Sequence, residues 1–188
     1  MIRPLILASK SPRRKELLDL AGLDYQVYCS DADEYFDSTL SKTQAIQAIA
    51  RQKAEAVFKD HPEALIISAD TLVILDDEIM GKAQDKADAV RMLTMLSGKK
   101  HYVITAVCLM DQEHIEMFAS RTDVYFYDVE PVFIQEYVES GQAVDKAGAY
   151  GIQDQGALMI RRIDGDYYTV MGLPIAEVAR RIKKIQEN

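Results

Sequence analysis

A continuous apolar run, Leu5-Ile6-Leu7-Ala8, reads as a short buried strand, and Ser11-Pro12 opens a helix directly behind it, with Ser as N-cap and Pro at the first helical position. That helix ends near Gly22, and Tyr25 to Ser30 forms a second strand leading into the acidic loop of Asp31, Asp33, Glu34 and Asp37. Ser41 with Gln44 makes a capping box for a long helix running to about Lys59, where His61-Pro62 stops it. Its apolar stripe is Ile46, Ile49, Ala50 and Val57, and the 3.6-residue period puts Lys53 in the middle of that stripe. A lysine there either snorkels past its neighbours to water or reaches into an anion-binding cleft.

Ala64 to Ala69, ALIISA, reads as a continuous apolar run, as in a central strand covered on both faces, and it ends in Asp70-Thr71. Leu72 to Leu75 continues extended, Asp76-Asp77-Glu78 turns the chain, and Ile79 to Lys82 returns as a hairpin arm. Asp85 to Leu96 is helical, with Ala89, Val90, Leu93 and Leu96 inward, and Ser97-Gly98 ends it. Strands follow over His101–Met110, His114–Ala119 and Thr122–Tyr127, so the sheet is mixed. Pro131 starts a helix to about Ser140 with Phe133, Ile134, Tyr137 and Val138 on its core face. Gly148, Gly151 and Gly156 punctuate an irregular stretch where backbone can come close to a ligand. Ala157–Ile163 and Tyr167–Met171 flank Asp164-Gly165, a hairpin-turn dipeptide, and a helix over about Ile175–Ile185 closes the chain with Ile175, Val178, Ala179, Ile182 and Ile185 inside.

A chain of 188 residues is expected to form one domain, residues 1–188, with a core on both faces of its sheet. Its net charge of −8 opposes encounter with polyanions, which argues against a general nucleic-acid or anionic-membrane binder but not against a local basic pocket for a small anion. Two cysteines, Cys29 and Cys108, make no disulfide framework and no metal pair, which fits the reducing cytoplasm. No run approaches the roughly 18 apolar residues of a membrane span, and the amino terminus does not read as a signal peptide.

Against that acidic background the first helix is unusual, because Arg13, Arg14 and Lys15, with Lys10 just ahead, crowd a helix start that already carries roughly half a positive charge. Either these side chains point into water, or an anion occupies the site, for which helix-terminal N–H groups and arginine forks are suited. Cations at a helix start, carboxylates at strand ends and glycine-rich loops together describe a polyphosphate site. Asp70 and Glu34 are the candidate oxygen ligands for Mg²⁺, which takes one or two carboxylates plus substrate phosphates. Neither a G-x-x-x-x-G-K-[ST] loop nor a G-x-G-x-x-G after a strand is present. His61, His101 and His114 lack ligand spacing and read as structural or solvated. Gln153 and Thr71 are neutral hydrogen-bonding groups that either read a base edge or satisfy local backbone.

Three blocks, LASKSPRRKELL, SADTLVILDDEIMGKAQDKADAVRMLTMLSGKKHYVITAV and DKAGAYGIQDQGALMIRRIDGDYYTVMGLPI, occur in order and span almost the whole chain. Together they resemble the Maf family of nucleoside triphosphate pyrophosphatases, also known as septum-formation inhibitors. The resemblance implies a mixed α/β fold, a twisted sheet flanked by helices in two lobes around a central cleft, and a homodimer. It implies Mg²⁺-dependent hydrolysis between the α and β phosphates, with Mn²⁺ or another divalent cation able to substitute. By motif, Asp70 is the proton acceptor, a metal ligand, or both, and Glu34 supports the metal or the attacking water. Ser9, Arg14, Lys53 and Lys82 match phosphate-binding positions, and Arg13, Thr71 and Gln153 match positions tied to base selection. AGAYGIQ resembles the members acting on dTTP and UTP. The alternatives are the same enzyme acting on 7-methyl-GTP or on modified pyrimidine nucleotides, and a nucleotide-binding regulator of cell division. Two positions depart from the family pattern: Ala83 replaces the usual Pro after Gly81-Lys82, loosening the backbone that presents Lys82, and Ala106 stands where Gly is frequent.

Overall fold

The computed structural model describes residues 3–29 and 35–187. Its strands form a seven-stranded mixed sheet in the order β2-β1-β3-β5-β6-β7, with β4 paired to β3. The strands are β1 (Leu5–Leu7), β2 (Tyr25–Val27), β3 (Leu65–Leu75), β4 (Glu78–Met80), β5 (Lys100–Met110), β6 (Ile115–Phe126) and β7 (Ile160–Asp164). The helices are α1 (Pro12–Leu20), α2 (Lys42–Phe58), α3 (Lys86–Leu96), α4 (Pro131–Glu139), α5 (Tyr167–Met171) and α6 (Ile175–Glu187). The chain divides into two compact units, one of residues 1–70, 105–120 and 172–188, the other of 71–104 and 121–171.

In the first unit β1 runs parallel to both β2 and β3, with Leu5, Ile6 and Leu7 opposite Leu65, Ile66 and Ile67. Leu7 and the run Leu65–Ile67 are fully buried, as continuous apolar runs in a parallel sheet require. The Ser41–Gln44 capping box is present at the start of α2, whose Ala45, Ile46, Ile49, Ala50, Ala54 and Val57 are buried. Helix α6 buries Ile175, Val178, Ile182 and Ile185 at helical spacing, each side chain worth roughly 1.5–3 kcal/mol of gross burial free energy. Its Arg181 stacks 4.2 Å over the Phe118 ring of β6 and pairs with Glu116 and Glu177. Both cysteines are unpaired: Cys29 is half-buried, while Cys108 is fully buried in β5 and burial pushes its thiol up to about 12.

In the second unit Val73, Leu75, Met80, Leu93, Leu96, Val103, Val124 and Tyr137 belong to one core cluster. Asp76 and Asp77, both at positive φ, make the turn that pairs β3 with β4 antiparallel, as the sequence predicts. Three expectations change. Strand β2 stops at Val27 rather than continuing to Ser30. The two strands expected between His114 and Tyr127 are one, because Arg121 does not break the extended run: its guanidinium stacks 3.8 Å over Tyr102 and bonds Asp123. The expected hairpin at Asp164-Gly165 is absent. Residues Gln155–Met159 form a short 3-10 turn instead, β7 pairs antiparallel with β6, and Tyr167–Met171 is helical. The Asp166 carboxylate accepts from the Thr169 N–H at 2.6 Å and its hydroxyl at 2.9 Å, a cap that outweighs the β-branched and aromatic preference of Tyr-Tyr-Thr-Val. Among the described residues no helix is long and apolar enough to cross a membrane.

Candidate active site

With strand order β2-β1-β3, the chain leaves β1 through α1 to one neighbour and later returns through α2 to the other. Carboxyl ends of parallel strands at such a switch point are where open α/β sheets bind ligands. Ser9 lies just past the end of β1, buried, and its Oγ accepts from the Ser11 N–H at 3.2 Å and from Arg14 Nη1 at 3.0 Å. Arg14 Nε donates to the Gly172 carbonyl at 2.9 Å. Arg14 is therefore a buried guanidinium held in a fixed orientation by neutral oxygens at the strand end, not a cation pointing into water. Ser11 places Pro12 at the helix start but makes no side-chain cap, and Arg13 beside it is half-buried.

Lys53 does not snorkel to solvent. Its Nζ donates to Asp70 Oδ1 at 2.7 Å, with each side chain about one-fifth exposed. The strand and helix that carry this pair are tied together one step earlier: the fully buried Ser68 hydroxyl donates to the Ala50 carbonyl at 2.5 Å. Ser68 and Asp70 share a face of β3 by the two-residue strand period, while Ala50 and Lys53 share a face of α2. Asp70 itself lies inside β3 and not at its end, since the strand continues to Leu75. Burial nonetheless relaxes there, from fully buried Ile67–Ala69 to half-buried Asp70, Thr71 and Leu72.

Thr71, Lys82 and Gln153 belong to the second unit. Lys82 is exposed, yet its backbone is fixed by an isolated antiparallel bridge to Ala147, and Ala83 packs against the core, so the missing Pro leaves this backbone anchored. The loop from Lys146 turns sharply: Gly148, at φ +68°, donates its N–H to the carbonyls of Met80 and Gly81, and a Cβ on it would lie about 3.0 Å from Val73. Further along, Gln153 Oε1 is buried without a hydrogen-bond partner among the described residues. A buried acceptor left unmatched costs roughly 1–3 kcal/mol, which a ligand donor can recover.

The geometry thus brings Ser9 to Arg14 and Lys53 to Asp70, while Glu34 lies outside the described residues. Among the described residues no group of three or more His, Cys, Asp or Glu side chains is arranged to hold a metal ion. Asp70 is the carboxylate with chemistry suited to one, since a hard cation can take a single protein oxygen and complete its shell from phosphate and water. The three histidines are structural in their contacts: His61 packs edge-on to Tyr28, His114 Nδ1 lies 3.2 Å from Asp111, and buried His101 Nε2 lies 2.8 Å from the Tyr150 hydroxyl. Sequence reasoning missed Ser68 and the polar groups around Gln153. A lone hydroxyl in the run ALIISA was the available signal for Ser68, because a polar group buried in a central strand must find a partner.

The model of the family described as Maf-like protein matches residues 4–185. The chain belongs to the Maf family. Relatives agree over nearly full length. The dTTP/UTP pyrophosphatase of Bacillus velezensis is 46% identical over 184 residues, covering 98% of this chain and 97% of its own. That of Bacillus pumilus is 47% identical over 94% of this chain and 93% of its own, and that of Syntrophomonas wolfei 46% identical over 97% and 100%. Among solved structures, the Staphylococcus aureus Ham1 protein matches with a TM-score of 0.48 at 16% identity, over 67% of this chain and 73% of that one.

Proposed function

We propose that this Maf family member hydrolyses dTTP and UTP to the monophosphate and pyrophosphate, with Asp70 as the proton acceptor. The observation that carries the reading is the Lys53–Asp70 pair, 2.7 Å apart on the strand where burial relaxes next to the β1 end that holds Arg14. Asp70 takes a proton from water as its oxygen bonds the α phosphorus, and the bond from that phosphorus to the bridging oxygen breaks, releasing pyrophosphate. Lys53, Arg14 and Lys82 supply positive charge to the phosphates, and Ser9 keeps the Arg14 fork in orientation. Asp70, with Glu34, would hold Mg²⁺ or Mn²⁺, which when bound neutralises triphosphate charge and polarises the reacting phosphoryl group.

Base choice is supported by the relatives' names and by Gln153. Uracil and thymine present an N3–H donor where cytosine has a lone pair, and the unmatched buried Gln153 Oε1 is an acceptor of the kind that donor needs. Arg13 and Thr71 match family positions tied to base selection and are proposed to serve it. A cytoplasmic location is supported by two unpaired thiols, and a homodimer is the expectation from the family resemblance, read by light scattering of the purified chain.

The test is release of pyrophosphate and of orthophosphate, with Mg²⁺, from UTP, dTTP, CTP, ATP, GTP and 7-methyl-GTP. Pyrophosphate from UTP and dTTP well above the purines is the expected result. Orthophosphate as first product would overturn the assignment of the cleaved bond, preference for 7-methyl-GTP would overturn the base assignment, and no turnover of any triphosphate by folded protein would overturn the enzyme.

A further inference from the structure

Gln153 sits between two residues whose surroundings are unusually constrained. Behind it, the Asp154 carboxylate gathers three donors: the Tyr137 hydroxyl at 3.0 Å and the Gly156 N–H at 2.8 Å on Oδ1, and Lys146 Nζ at 2.7 Å on Oδ2. Ahead of it, the Gly151 N–H donates to the same Tyr137 hydroxyl at 3.1 Å. Tyr137 comes from α4, is 1% exposed and belongs to the core cluster, so its hydroxyl is a fixed post around which residues 151–154 close. Lys146 also donates to the Gln142 carbonyl, and its side chain is 13% exposed against 21% for Asp154.

The closure leaves no slack. A Cβ on Gly151 would lie 2.2 Å from Asp154 Oδ2, and one on Gly156 would lie 2.5 Å from the Gly151 carbonyl oxygen. A short loop held at both ends by one tyrosine oxygen, with a charge-assisted pair on the Asp154 carboxylate, has few ways to redirect the side chain it carries. This loop carries Gln153, whose Oε1 is buried and unmatched among the described residues.

We infer that Asp154, through Tyr137 and Lys146, is a positioning residue for base selection: it fixes the direction of the Gln153 amide. The inference rests on the reading of Gln153 as the group that meets the base. It assigns no contact between Asp154 and the nucleotide. The function of the network is to keep Gln153 Oε1 where an N3–H arrives and to prevent it from turning to suit a base lacking that donor.

The experiment compares Tyr137→Phe, Lys146→Gln and Asp154→Asn in the full chain, with kcat and KM for UTP and CTP and melting temperature for each. In the folded variants the UTP-over-CTP ratio of kcat/KM should fall about 5–10-fold, the worth of roughly one redirected hydrogen bond. That fall should come mainly from KM for UTP, with kcat within about 2-fold, because a positioning effect on the base does not reach the phosphorus. Combined with Gln153→Ala, Tyr137→Phe should change the ratio no further, since both act on the same group. Equal losses for UTP and CTP, or effects that add on the Gln153→Ala background, would overturn the inference while leaving the base reading intact. An unsubstituted chain without UTP preference, or one whose preference survives Gln153→Ala, would overturn the base reading and the inference with it. Lys146→Gln leaves the Tyr137 post in place, so loss of folding in the tyrosine variant does not remove the test.

Discussion

His101 makes the stability of the second unit depend on pH in a way that can be isolated. The ring is 2% exposed, edge-on to Phe126 and Tyr150 at 4.9 and 5.5 Å between centroids, and burial lowers its pKa from 6.5 to about 4. The folded protein therefore refuses a proton that the unfolded chain accepts, so the stabilisation is complete above pH 6.5 and is lost as pH falls from 6.5 toward 4. Between pH 7.5 and 4.5 that loss is about 2–3 kcal/mol, from 1.36 kcal/mol per pH unit over the interval in which only the unfolded chain is protonated. His101→Phe keeps the ring contacts and removes the titration, while leaving the fully buried Tyr150 hydroxyl without its partner, at about 1–3 kcal/mol. Urea unfolding of both proteins at the two pH values separates the effects, because every carboxylate contributes equally to each and cancels in the difference. The variant should be the less stable at pH 7.5, and the gap should close or reverse at pH 4.5. Parallel losses in the two proteins would refute the argument that burial holds His101 neutral.

Asp70→Asn should lower kcat by about 10²–10⁴-fold, the usual worth of a positioned base, with the circular dichroism spectrum unchanged; near-normal turnover would remove Asp70 from that role. Ser68→Ala deletes the 2.5 Å bond from β3 to the Ala50 carbonyl and should cost about 0.5–1.5 kcal/mol in urea unfolding, whereas a gain in stability would contradict its part in tying α2 to β3. Gly151→Ala drives a methyl to 2.2 Å from Asp154 and should cost about 1–3 kcal/mol, lowering Tm by about 3–10 °C, while Gly81→Ala, with nothing within 4 Å of its added Cβ, should leave Tm nearly unchanged. Equal melting of the two alanine variants would show that the loop around Gly151 yields.

Much of the fold was readable wherever one signal dominated. The capping box at Ser41, Pro12 and Pro131 at helix starts, and the acidic turn after Leu75 all mark ends with local chemistry, and those ends fall where expected. Misreadings occur where local preference and tertiary partners disagree. Tyr167–Met171 favours a strand by residue type and becomes a helix through one aspartate, and the strand read as broken before Thr122 continues because Arg121 finds Tyr102 and Asp123. At the candidate site the sequence identifies residue types but not partners. Lys53 on an apolar stripe left two readings open until Asp70 appeared 2.7 Å away, since which strand faces a helix is a long-range fact. Asp154 carried no signal in the sequence, because the hydroxyl and ammonium that surround it come from α4 and from the loop before Gly148.

The buried Cys108 gives this protein an internal gauge of its own opening. With the thiol fully covered and its pKa pushed to about 12, alkylation must wait for molecules in which β5 is uncovered, so the labelling rate relative to a free thiol reads how often that happens. Replacing Cys29 by Ser leaves Cys108 as the only thiol in the chain. A nucleotide that binds the closed form then slows labelling in proportion to its concentration over its Kd. Candidate ligands can thereby be ranked on unlabelled, non-hydrolysing samples, including on the Asp70→Asn variant, where turnover offers no readout.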